Sequence, residues 1–182
     1  MSPHPLPPDQ LQIFFASHEL PSIPLVNELI KAGKTIAEKT DGDHTQGIIS
    51  LGFGKRIIAT AHTTKFSSIE QDHLIEIIDY DAYKQILLIM GKKEPMPTLA
   101  INWMLHHAKQ EIGAIILLEN SKKTTLTKNI QTIETQPHLT ILNQVKTLLK
   151  ALQNDSILHL ENQGILITGR TISDIQHQLS II

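Results

Sequence analysis

The stretch GAIILLEN, residues 113–120, reads as a strand, since four consecutive aliphatic residues lie between Ala114 and the polar pair Glu119–Asn120. Neither parity along the run is polar, so both faces of the strand should be covered. GILITG at 164–169, inside ENQGILITGR (161–170), has the same character, and SILHL just before it adds another strand. A sheet buried on both faces needs one layer of helices above it and another below.

The rest of the chain supplies such helices. PSIPLVNELIKAGKTIAEKT (21–40) puts Leu25, Leu29, Ala32 and Ile36 on one face at helical spacing, with Ser22 as the expected cap. TLAINWMLHHAKQ (98–110) spaces Leu99, Trp103 and His106 or His107 about one turn apart, with Thr98 as its expected cap. PHLTILNQVKTLLKALQ (137–153) opens with Pro137 at a favoured first-turn position and lines up Leu142, Val145, Leu149 and Leu152. Thr171 with Asp174 three residues later resembles a capping box ahead of Ile172, Ile175, Leu179 and Ile182.

Strands fill the intervals. Ile48–Leu51 and Arg56–Ala61, separated by GFGK, read as a hairpin, and HLIEIIDYD (73–81) and KQILLIM (84–90) as two further strands. SKKTTLTKN (121–129) is too polar to pack and is expected to be a loop. The order implies an α/β fold over residues 21–182: three layers, α/β/α, around a central, largely antiparallel sheet. Four prolines in the first eight residues set residues 1–20 apart as a leader, partly disordered and outside the core.

Composition narrows the function. With 41% hydrophobic and 19% charged residues in 182, the chain can bury one domain core and is far from the composition of disorder. A formal charge of −2 provides no field to gather nucleic acid or an anionic membrane, and no run approaches the ~18 apolar residues of a membrane span. The absence of cysteine excludes disulfides and thiolate chemistry and leaves His, Asp and Glu as metal ligands. A cytoplasmic protein is expected.

Several motifs then line up in order. ENQGILITGRTISD (161–174) resembles the closing NHGvlvvGkt signature of the class II aldolase and adducin head-domain family. LIKAGKTIAEK followed by GIIS (47–50) resembles that family's first helix and sGNiS strand, and IATAHTTKFSSIEQDHLIEIIDYD (58–81) its ITPSG segment. EPMPTLAINWMLHHAKQEIGAIILLEN (94–120) resembles its PSsE helix and AvvHtH strand. The resemblance implies an α/β/α fold, a homo-oligomer such as a cyclic tetramer, and sugar-phosphate aldol chemistry at subunit interfaces.

That chemistry uses a zinc-like ion to stabilise an enediolate, held by imidazoles that converge on one point. The resemblance places the ligand positions at Leu117, Glu119 and Gln163, and the proton-transfer carboxylate at Thr98, or at Ala100 in a shifted alignment. Leucine has no donor atom, and neither Thr98 nor Ala100 exchanges a proton near neutral pH. Around the phosphate, Gly47, Ser50 and Thr60 match the family, whereas His62 and Thr63 replace its Ser and Gly. These five form the candidate anion-binding set.

The expected function is accordingly a class II aldolase/adducin-like domain without zinc ligands or acid/base carboxylate, and without a cofactor. It would serve as a non-catalytic binding or assembly module, as a homo-oligomer or with a protein partner. The alternative is a sugar-phosphate lyase or isomerase with a remodelled site using Glu119, His62 or His106 contributed across a subunit boundary, and a divalent ion. A sensor retaining only the anion pocket is a third reading. His106, His107, His62 and His73 are candidates for a relocated metal site, although adjacent helical residues point about 100° apart. Asp41, Asp43 and His44 fit a turn better than a calcium loop, Ser67 and Ser68 with Asp72 and His73 lack a nucleophile elbow, and Trp103 and Met104 read as helix core or a subunit contact.

Overall fold

The structure, a computed structural model, describes residues 10–119, 130–134, 136 and 138–180. At its centre lies β7 (Ala114–Glu119), whose residues alternate between two cores: Ile115 and Leu117 face one, Ala114, Ile116 and Leu118 the other. This division explains the unbroken apolar run, because a strand covered on both sides has no solvated parity. β7 pairs antiparallel with β2 (Gln46–Phe53) on one side and β10 (Gly164–Gly169) on the other.

From there the sheet extends in both directions. Beyond β2 come β3 (Arg56–Thr60), β5 (Leu74–Asp81), β6 (Ile86–Gly91) and β1 (Gln12–Ser17); β4 (Thr64–Lys65) pairs with β2 off this path. Beyond β10 come β9 (Ile157–Leu160) and β8 (Gln131–Ile133). β1 and β8 run parallel to their neighbours, while the other paired strands are antiparallel. The β2–β3 hairpin turns on Gly54 and Lys55, and Gly54 takes the φ of +58° that such a tight turn requires.

α1 (Leu25–Lys39) and α4 (Ile172–Leu179) cover one face, burying Leu29, Ile36 and Ile175 against Ile49, Ile116 and Ile167. α2 (Thr98–Ala108) and α3 (Ile141–Ala151) cover the other, burying Leu99, Leu105 and Val145 against Ile48, Ile115 and Leu166. The expected α/β/α layering and largely antiparallel sheet are thus present. No helix among the described residues is long and apolar enough to cross a membrane.

Local details differ from the sequence reading. β1 falls within the supposed leader: Gln12–Ser17 pairs with β6 as a half-buried edge strand whose register breaks between Phe15 and Ser17. α1 and α2 begin after Pro24 and Pro97 without a side-chain cap, so Ser22 and Thr98 do not cap them; proline at these positions has no N–H to satisfy. α3 starts at Ile141, not near Pro137, because the Thr140 hydroxyl accepts from the Asn143 amide at 3.3 Å. Its buried stripe runs through Val145 and Leu148 to Ala151, which leaves Leu142 exposed. The Thr171–Asp174 capping box forms in both directions. The 121–129 loop, Pro137 and Ile182 lie outside the described residues.

Candidate functional site

Three of the four positions that the motifs single out meet in space. Leu117 sits on β7 between Ile48 of β2 and Leu166 of β10, Gln163 immediately precedes β10, and Thr98 opens α2. All three line one cavity of about 50 Å³ between α2, α3 and the sheet. Its other walls include Leu105, Leu148, Leu160 and Leu166. Leu117 is buried, packed as a core residue in the wall. Burying such a leucine is worth roughly 1.5–3 kcal/mol, and an imidazole there without a partner would be destabilising.

Glu119, one pleat further along β7, does not line the cavity. Its carboxylate accepts a hydrogen bond from the Thr63 hydroxyl, whose oxygen also lies 3.7 Å from the Met96 sulfur. Among the described residues lining the cavity there is no imidazole, Glu134 is the single carboxylate, and the remaining polar side chains are amides and hydroxyls. A zinc-type ion needs three or four imidazole, thiolate or carboxylate donors, so these residues do not fit one. No group of three His, Asp or Glu among the described residues converges on a point.

The five anion-binding candidates each have other contacts or roles in the fold. Thr60 is fully buried and its hydroxyl accepts from the Ile49 amide at 3.2 Å. Ser50 is equally buried and bonded to His106 and Asn102. Thr63 is held by Glu119, which places a negative carboxylate where an anion would need a donor. His62 is exposed, and its carbonyl accepts from Thr64. Gly47 has a packing role, because a Cβ there would overlap the Leu117 carbonyl and force β2 away from β7.

The histidines also go separate ways. His106 Nδ1 lies 3.0 Å from the Ile112 carbonyl and Nε2 3.0 Å from the Ser50 hydroxyl. A carbonyl can only accept, so Nδ1 carries the proton and Nε2 accepts from Ser50; the Asn102 amide donates to the same hydroxyl at 3.1 Å. Burial lowers the His106 pKa to about 4, with the neighbouring His107 acting in the same direction against the bond to Ile112. His107 instead stacks on Trp103, with 4.1 Å between ring centroids, and faces the Trp103 and Lys55 carbonyls. His73 Nδ1 accepts from the Glu70 amide in a capping interaction.

The sequence reading missed the Ser50–Asn102–His106 cluster. Asn102 and His106 are four residues apart on α2 and share a face, a signal present in the sequence; their convergence with Ser50 on β2 was not. The Asp41–His44 segment forms a single 3₁₀ turn held by Thr45, and Ser67 and Ser68 lie in another, with Ser68 bonded to the Lys65 carbonyl. Trp103 is buried core and Met104 packs against that core.

Comparison with solved structures places this architecture. An L-fuculose 1-phosphate aldolase superposes with a TM-score of 0.64 at 17% identity, covering 89% of this chain and 86% of the aldolase. The fold is class II aldolase-like. YgbL from Escherichia coli (TM-score 0.61, 13% identity, 87% of each chain) gives the same class II aldolase-like match. So does an aldolase II superfamily protein from Pseudomonas syringae (0.61, 14%, covering 87% of this chain and 73% of that one). No family model matches the sequence, and neither does any curated protein. At such identities the class II aldolase-like likeness concerns the backbone, and the chemistry must be judged from the side chains in the cavity.

Proposed function

We propose that this chain is a non-catalytic class II aldolase-like domain that acts as a binding or assembly module. One observation carries the reading: Thr98, Leu117 and Gln163 come together on one cavity, yet its walls are mostly leucine and isoleucine and its described polar groups are amides, hydroxyls and the single carboxylate of Glu134. The spatial frame of a reaction centre is kept while the groups that would polarise a carbonyl or move a proton are replaced. The motif likeness to adducin heads favours an assembly role, as a homo-oligomer such as a tetramer or with a protein partner in the cytoplasm. A fold interface built from packing can outlast the chemistry it once framed.

The remodelled-lyase alternative draws on Glu119, His62 or His106 contributed across a subunit boundary. In one chain Glu119 is bonded to Thr63, and His106 to Ser50 and Ile112; no hydrogen bond joins the two.

The test is metal content and turnover together. Untagged protein is loaded with zinc, manganese or cobalt, desalted, analysed by inductively coupled plasma mass spectrometry, and assayed for cleavage of L-fuculose 1-phosphate. Substoichiometric metal under every loading and no cleavage are expected. One ion held per chain through desalting, or metal-dependent cleavage, would overturn the reading.

A further inference from the structure

We propose that the leucine-walled cavity is a binding site for the short aliphatic end of an uncharged molecule whose amide or hydroxyl head sits against Thr98 and Gln163. The inference rests on the non-catalytic reading above and deepens it by naming what the site accepts. Three observations support it.

The first is size and lining. About 50 Å³ is several times the roughly 10–15 Å³ that one water occupies, and it suits an apolar group of about three or four carbon atoms. Leu105, Leu117, Leu148 and Leu166 offer water few partners, and apolar cavities of this kind take up small apolar molecules.

The second is polar groups left available in a particular place. Asn102, Gln144 and Thr147 also line the cavity, but their side chains donate to Ser50, to the Leu139 carbonyl at 2.8 Å and to the Asn143 carbonyl at 3.1 Å. The Thr98 hydroxyl and Gln163 amide have no hydrogen bond to another described residue. Gln163 is exposed and Thr98 half-buried, so solvent reaches both. Together they can donate to and accept from a single amide or hydroxyl.

The third is charge. Glu134 is the one charged residue among the described residues lining the cavity, and no Lys, Arg or His is among those described. A carboxylate or phosphate would lose its hydration without a counter-charge and would approach Glu134. The described lining thus favours an uncharged ligand over a sugar phosphate.

Isobutyramide and isobutyrate make a matched pair of probes, nearly equal in shape and different in charge. The full-length protein, labelled at Ile, Leu and Val methyls, is titrated with each and followed by ¹H–¹³C NMR. Isobutyramide should shift the Leu117, Leu148 and Leu166 methyls saturably, with a dissociation constant on the order of 1–10 mM for so few atoms. Isobutyrate should bind at least roughly tenfold more weakly. Thr147→Trp, at an exposed lining position of α3, should block the shifts; Ile101→Phe serves as blocker if the first variant loses its native spectrum.

Equal affinity for the two probes, shifts that persist in a natively folded blocked variant, or no saturable shift would each overturn the proposal. None of those outcomes bears on metal content, so the non-catalytic reading fails or stands on its own experiment.

Discussion

Two ends of α2 treat polarity in opposite ways. Near Thr98 the helix faces Leu117 and a small apolar cavity whose nearest free polar groups are a hydroxyl and an amide. One and two turns further, the buried Asn102 and the half-buried His106 close on Ser50 in a cluster in which the imidazole nitrogens and the serine hydroxyl are bonded. Both ends lie over the same β2–β7 strand pair, where Ile48 is paired with Leu117 and Ser50 with Ile115. The difference teaches that the half-buried His106 is held by hydrogen bonds at both ring nitrogens, whereas Leu117 is packed as hydrophobic wall. Polar groups survive burial where every lone pair and proton has a partner.

The sharpest way to break the apolar end is at Gly47, behind Leu117. Gly47→Ala would drive a Cβ into the Leu117 carbonyl oxygen, separating β2 from β7 and opening the cavity wall. A loss of more than about 3 kcal/mol, or failure to fold, is expected in urea unfolding. A cost below about 1 kcal/mol would show that the wall is not held by this close approach.

The polar end should respond to acid. His106 is neutral when folded, with its pKa lowered to about 4 against 6.5 for the free side chain. The unfolded chain therefore binds the proton more readily, and stability from this group is whole above pH 6.5 and falls as pH drops toward 4. Up to about 3 kcal/mol is lost across that window. Comparing the pH slope of unfolding in the parent protein and in His106→Gln isolates the contribution from the carboxylates. Equal slopes would mean that His106 titrates like a surface residue.

A smaller effect is expected at Ser50. Ser50→Ala leaves the Asn102 amide and His106 Nε2 without their shared partner and should cost about 1–3 kcal/mol. The readout is the unfolding midpoint together with the His106 pKa followed by NMR. If neither moves, the cluster is a coincidence of packing. The smallest change is at the far edge of the same layer, where Thr140→Ala removes the cap of α3, for about 1 kcal/mol in thermal unfolding. A larger loss there would mean that α3 closes the cavity more firmly than its cap implies.

The sequence alone determined the layers. Apolar runs without a polar parity, such as Ala114–Leu118, and helical stripes such as Leu29–Ile36 report burial directly, because their periods of two and 3.6 residues are local properties of the chain. The Thr171–Asp174 box was legible for the same reason: both partners lie within one turn. The edge strand at Gln12–Ser17 was not, since its half-buried residues acquire strand geometry only by pairing with β6, about seventy residues away. Motif resemblance identified Thr98, Leu117 and Gln163 one by one, but only the packing of α2 and α3 on the sheet brought them to one cavity and turned Glu119 toward Thr63. Side-chain convergence depends on contacts between distant segments, which no local period encodes.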